Sequence, residues 1–186
     1  MRKDFGSKPC MFPEPVLIIG TYDEDGTPNA MNAAWGGVHN DDEVFICIDG
    51  GHKTADNILA RKAFTISFAT KEAVTASDYV GIVSGKKVHD KFARAGFHEV
   101  KSQKVDAPLI EELPVALECE LISYSKDTCE CIGRIVNLNA DESVLTDGKV
   151  DMSKFHPILY EGFNREYRAF GEKVGKAYSE GQKLNR

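Results

Sequence analysis

Apolar residues along this chain fall in short alternating or continuous runs separated by clusters of Asp, Gly, Asn and Lys, the signature of strands and turns. Residues 16–22 are apolar and β-branched, Asp23-Glu24-Asp25-Gly26 is turn chemistry, and residues 29–38 can return as the second strand of a hairpin. A further turn at Asn40-Asp41-Asp42-Glu43 leads into residues 44–48, so three strands in close succession suggest an antiparallel meander. After Asp49-Gly50-Gly51 the period changes: Thr54, Ile58, Leu59 and Arg61 fit a helix of two to three turns, with Thr54 as a possible cap.

The alternation resumes at residues 63–68. A helix over 71–80, a turn at 84–87 and a short helix over 90–95 stopped by Gly96 follow. Residues 113–124 and 128–138 are the longest strand candidates, joined through Ser125-Lys126-Asp127, and a turn at Asp147-Gly148 precedes a short strand at 157–160. Tyr160, Phe163, Tyr167 and Phe170 recur three or four apart, which suits a packed helical face or a subunit contact better than a cofactor box. Six or seven strands with small inserted helices point to a Greek-key barrel. The whole of 1–186 reads as one domain, its first 14 residues an extended arm held open by Pro9 and Pro13 with Pro15 just beyond.

Charge narrows the partners. The formal net charge is -6, which argues against a general affinity for nucleic acid or anionic membrane, so a bound phosphate must be held by local charge. No apolar run approaches the ~20 residues that span a bilayer, and the amino terminus has no signal-peptide core, giving a soluble, cytoplasmic expectation. Five cysteines, at 10, 47, 119, 129 and 131, match no zinc-ligand spacing and read as reduced thiols. Cys129 and Cys131 would share one strand face, which raises a redox or metal role, but no second pair or histidine completes a site.

Dinucleotide, P-loop, nucleophile-elbow and zinc-protease motifs are absent. The stretch that stands out is Ala30-Met31-Asn32-Ala33-Ala34-Trp35-Gly36-Gly37, a run of small side chains around the only tryptophan that a flat ring can approach closely. His52-Lys53-Thr54 follows at a helix opening, where free N–H groups and a positive dipole end favour an anion. A ring on the first and a phosphate on the second would describe a bound flavin mononucleotide. His52 adjoins this phosphate site, and a structural role suits it equally.

These pieces, with Pro15 to Tyr22, Phe64-Thr65-Ile66-Ser67, Ser84-Gly85, Asp90-Lys91-Phe92 and Pro157-Ile158-Leu159-Tyr160, resemble the flavin reductase-like proteins of the FMN-binding split barrel, and among them the flavoredoxins. The resemblance runs from about Pro15 to about Gly175. It implies a mainly β, six-stranded split barrel, a homodimer and one FMN per subunit near the dimer interface. Met31, Asn32, Ala33, Ala34 and Trp35 would line the flavin, Lys53, Thr54 and Asn57 would reach the phosphate, and Lys91 would add a second cation. The implied activity is electron transfer from NADH or NADPH through FMN to free flavin or a small acceptor. The alternative is an electron carrier serving a partner redox protein, without nicotinamide turnover.

Overall fold

Every residue of the strand Leu17–Tyr22 is buried, as happens when a strand is covered on both faces. Leu17 and Ile19 enter one apolar cluster with Met31, Ile46, Ile58, Phe64 and Cys131. Val16 and Ile18 enter a second with Ala30, Val80, Phe92, Ile110 and Ile158. The architecture is therefore a sheet with a core inside its curl, which the helix carrying Ile58 helps to fill, and with the helices carrying Val80 and Phe92 packed on its outer face.

The computed structural model describes residues 1–184. The expected domain span of 1–186 runs just past them. In chain order the elements are β1 (Glu14–Pro15), β2 (Leu17–Tyr22), β3 (Pro28–Ala33), β4 (Gly36–Asn40), β5 (Glu43–Cys47), α1 (Lys53–Arg61), β6 (Ala63–Phe68), α2 (Val74–Ile82) and α3 (Lys91–Arg94). They continue with β7 (Glu99–Lys101), β8 (Pro108–Ile110), β9 (Val115–Ser125), β10 (Glu130–Ala140), β11 (Leu145–Thr146), β12 (Lys149–Val150), β13 (Ile158–Glu161) and β14 (Glu166–Ala169).

Seven of these strands form one sheet in the order β3-β2-β6-β9-β10-β5-β4, antiparallel throughout. Its two edge strands, β3 and β4, are consecutive in the chain and separated only by Ala34 and Trp35. A link that short spans roughly 10 Å, so the sheet must curl until its edges nearly meet. The result is the expected split barrel, with one change in its count. The single strand expected over 29–38 is broken at Ala34-Trp35 into β3, which pairs with β2, and β4, which pairs with β5, on the two sides of the split. For the same reason the first three strands are not a meander: β5 pairs with β4 and β10, not with β3.

Two further expectations are corrected. Tyr160 and Tyr167 do not share a helical face; they sit directly opposite each other in the β13–β14 hairpin, ring centroids 6.1 Å apart, with Phe163 in the turn. The three-to-four spacing mimicked a helix because the hairpin turn happens to place its aromatic pair seven residues apart. Cys129 lies outside β10 in a left-handed conformation (φ 60), whereas Cys131 is buried in the core, so the two thiols do not line one strand face. All five cysteines are free.

Candidate functional site

The chain leaves β5 through a tight turn in which Asp49 Oδ1 accepts the Gly51 N–H at 2.7 Å and the Asp49 carbonyl accepts the His52 N–H at 3.1 Å. Helical geometry therefore begins at Lys53, with His52 in the capping position but making no side-chain cap bond. Thr54 is not the cap expected from sequence. It lies in the first turn, where its buried Oγ1 accepts from Asn29 Nδ2 at 3.1 Å. The N–H groups of Lys53 and Thr54, and the Thr54 hydroxyl proton, meet no acceptor among the described residues. Such a terminus is suited to an anion.

Facing it across a groove of about 240 Å³ is the end of α2 and the segment after it, from Val80 to Gly85, with Met31 and Asn32 of β3 as the floor. Two glycines set how closely these walls approach. A Cβ on Gly81 would come within 2.9 Å of Asn32 Cβ, and one on Gly85 within 2.6 Å of Asn29 Oδ1, so neither position admits a larger residue without displacement. Asn29 Oδ1 is itself buried and without a hydrogen-bond partner among the described residues. Asn32 ties β3 to α2 by donating to the Ser77 carbonyl at 3.0 Å.

The most telling group is Lys91. It is 3% exposed, and its Nζ donates to the carbonyls of Val80 (3.2 Å) and Val83 (3.0 Å), closing the open end of α2. An ammonium has a third donor, and Lys91 lines the groove. No carboxylate pairs with it among the described residues, and burial alone pushes its pKa down to about 8. Lys53 differs: its Nζ is 3.3 Å from Asp23 Oδ1, so its charge is already compensated. A buried lysine with no carboxylate partner among the described residues, beside open space and free N–H groups, is suited to an anion.

Past Asn32, Gly81 and Ile82 the groove opens into a wider space of about 390 Å³ bounded by Ala34, Asp78, Tyr160, Arg165 and Tyr167. Tyr167 donates to Asp78 Oδ1 at 2.8 Å, and its pKa is pushed up to about 12, first by burial and then by that bond. The donor set at one end and the flat aromatic walls at the other fit a phosphorylated ring compound of FMN's chemistry.

Of the residues singled out from sequence, Met31, Asn32, His52, Lys53, Thr54 and Lys91 converge on the groove, and Ala34 borders its wider end. Three do not. Ala33 points into the barrel core. Trp35 lines a separate pocket under the N-terminal arm. Asn57 lies on the buried face of α1, 3% exposed, with its amide donating to Thr21 Oγ1 (3.0 Å) and Asp23 Oδ1 (2.9 Å), away from the groove. Sequence reasoning leaves Gly81, Tyr160, Arg165 and Tyr167 out of the site; the pair of glycines flanking Ile82-Val83-Ser84 is the signal available for the α2 end.

The flavin reductase-like domain model matches residues 9–171. The chain belongs to that family. It is 38% identical to the flavoredoxin of Desulfovibrio vulgaris (Miyazaki F), the match covering 97% of this chain and 100% of that one at a TM-score of 0.92. A flavoredoxin from Methanosarcina acetivorans is 25% identical, with 99% and 100% coverage and a TM-score of 0.89. The FMN-binding domain of a flavin reductase-like enzyme from Shewanella baltica OS155 shares the fold at 20% identity, 88% and 89% coverage and a TM-score of 0.79. Among the described residues no helix is long and apolar enough to cross a membrane.

Proposed function

We propose that this protein is an FMN-binding oxidoreductase of the flavin reductase and flavoredoxin type, taking electrons from NADH or NADPH and passing them to free flavin or a small acceptor. The observation that supports the reading is Lys91, a buried lysine that lines the groove with no carboxylate partner among the described residues, for which the FMN phosphate would be the counter-ion. Lys53 would turn from Asp23 to share that phosphate, and the N–H groups of Lys53 and Thr54 would complete its shell. The ring would lie along Asn32 and Ala34 towards Tyr160 and Tyr167. Bound FMN supplies the capacity to take an electron pair from a nicotinamide and release it singly or together; the protein's part is to position the ring and limit water.

A homodimer with FMN near its interface belongs to the same reading. β4 is a free sheet edge bearing Val38, 80% exposed, next to a half-exposed Trp35, and a second copy covering that edge would remove an exposed apolar strand from water. The free thiols suit a reducing cytoplasm.

The likeness to two flavoredoxins favours a second reading, an FMN-containing carrier that exchanges electrons with a partner redox protein and does not turn over nicotinamide. One experiment separates the two. The visible spectrum of purified, FMN-loaded protein is followed without oxygen on adding NADH, then NADPH, then free FMN as acceptor. Bleaching with sustained nicotinamide oxidation is the expected result. A yellow protein that neither nicotinamide reduces would support the carrier. A protein that takes up no FMN would end both.

A further inference from the structure

At the far end of the β5–β10 ladder two thiols come together. Cys47 stands directly opposite Glu130, and one step further the Ile48 N–H donates to the Cys129 carbonyl at 2.8 Å. From the spacing and rise of antiparallel strands, residues diagonal to each other in this way have Cα atoms roughly 6 Å apart, within the range a disulfide spans. Orientation matters as much as distance. A regular strand would turn Cys129 the same way as Ile48, which is buried in the barrel core. The left-handed backbone at Cys129 (φ 60), a conformation that disfavours residues with a side chain, breaks that alternation.

The Cys129 thiol therefore rests beside Cys47, which faces out of the barrel between the core residues Ile46 and Ile48. Burial pushes the Cys47 thiol up, and the charge and hydrogen bonding of Cys129 push it further. Both cysteines are free and half-buried, and Cys129 Sγ makes only a weak contact, 3.9 Å to the Lys126 carbonyl. The other thiols differ. Cys119 and Cys131 are enclosed in the core, where burial pushes both up to about 12, and Cys10 stands alone in the N-terminal arm.

We infer that Cys47 and Cys129 form a reversible dithiol–disulfide couple that is oxidised by hydrogen peroxide. Oxidation begins at Cys129, in the turn: its sulfur loses its proton, attacks one peroxide oxygen and releases hydroxide, leaving a sulfenic acid. The Cys47 sulfur then attacks the oxidised sulfur, the S–O bond breaks, and water leaves as the S–S bond forms. Two thiols and one peroxide thus give one disulfide and two waters, the two electrons passing from sulfur to the peroxide oxygens. A small dithiol reverses the step by exchange and is itself oxidised to a disulfide. The couple goes beyond the flavin reading and does not rest on it, since the chain's own side chains hold the electrons. Cys47 needs to reach only Cys129, on the β10 side of β5, so a second copy covering Trp35 and the β4 edge would leave the step open.

The test uses full-length protein, reduced and freed of reductant, with and without FMN. It is exposed to hydrogen peroxide, quenched with N-ethylmaleimide and mapped by peptide mass spectrometry. A peptide pair joined through Cys47 and Cys129, lost on adding dithiothreitol, is the expected result, with Cys119 and Cys131 unoxidised. In Cys47→Ser the sulfenic acid has no resolving thiol, so capture of Cys129 by dimedone should rise at least about tenfold over the parent. Cys129 joined to Cys10 or to a second chain, Cys47 and Cys129 both still alkylated while Cys10 is oxidised, or equal dimedone capture in parent and variant would each overturn the inference. If Cys47→Ser does not fold, the peptide map of the parent decides.

Discussion

Replacing Lys91 by methionine should separate the demands of the fold from those of the ligand. The pKa of about 8, against 10.5 for a free lysine, means that burial costs the charged form roughly 3 kcal/mol. Because the folded pKa lies below the unfolded one, the unfolded chain holds the extra proton between about pH 8 and 10.5. Wild-type stability should therefore rise with pH across that window and carry the full penalty below it. Methionine removes the penalty but strands the Val80 and Val83 carbonyls, each worth about 1–3 kcal/mol if no water reaches it. The two effects largely offset, and net stability at pH 7 should stay within about 2 kcal/mol of wild type. FMN binding has no such offset. Losing a charge-assisted contact to the phosphate should weaken it by roughly 10- to 100-fold.

The pH profile carries the sharper test. With phosphate bound, Lys91 regains a counter-charge and its pKa rises, so FMN affinity should be flat from about pH 7 to 8 and then fall by up to about tenfold per unit as free Lys91 loses its proton. In Lys91→Met the fall above pH 8 should vanish. Flavin fluorescence titrations from pH 7 to 10, with urea unfolding run in parallel, read both quantities. A wild-type affinity that does not change above pH 8, or a Lys91→Met protein that keeps the wild-type slope, would refute the assignment of Lys91 to the phosphate.

Three other substitutions test the geometry. Gly85→Ala should push the segment after α2 away from Asn29 and Lys53, weakening FMN by at least about tenfold in a titration while costing about 1–3 kcal/mol in urea unfolding. Asn57→Ala should lower stability by about 1–3 kcal/mol through its lost bonds to Thr21 and Asp23, yet leave the FMN dissociation constant within about threefold of wild type; a large loss of affinity would show that the side chain reaches the ligand after all. Gly133→Ala would drive a methyl into the Phe64 ring inside the barrel, so its melting temperature should fall, with the folded fraction binding FMN normally.

Period-two patterns made most of the barrel legible: β2, β5, β6 and the long β9–β10 hairpin lie within a few residues of where alternation and turn chemistry placed them. The start of α1 was visible because Asp49-Gly50-Gly51 breaks the strand and a helical period follows. The place where the barrel closes is not visible. Ala33-Ala34-Trp35 continues the strand pattern without a turn residue, and only the pairing of β3 and β4 at opposite edges reveals that the chain switches sides there. The hairpin of Tyr160 and Tyr167 is masked in the sequence because its aromatic spacing matches a helical period across the turn residues Gly162 and Asn164; Arg165 completes that turn at φ 61. Burial was also beyond the sequence. A lysine three residues past Val88 reads as a surface cation, and only packing under α2 shows that Lys91 is enclosed, with no carboxylate partner among the described residues.

The central claim is that the groove between α1 and α2 holds FMN by its phosphate, and the most direct measurement compares FMN with riboflavin, which has the same ring and ribityl chain without the phosphate. Titrations of flavin-free protein at pH 7 should give FMN an affinity at least about 100-fold higher, the value of two charge-assisted contacts and the free N–H groups at the start of α1. Equal affinities for the two flavins would contradict the account, because a ring held equally well without its phosphate leaves Lys91, Lys53 and Thr54 with no part in binding.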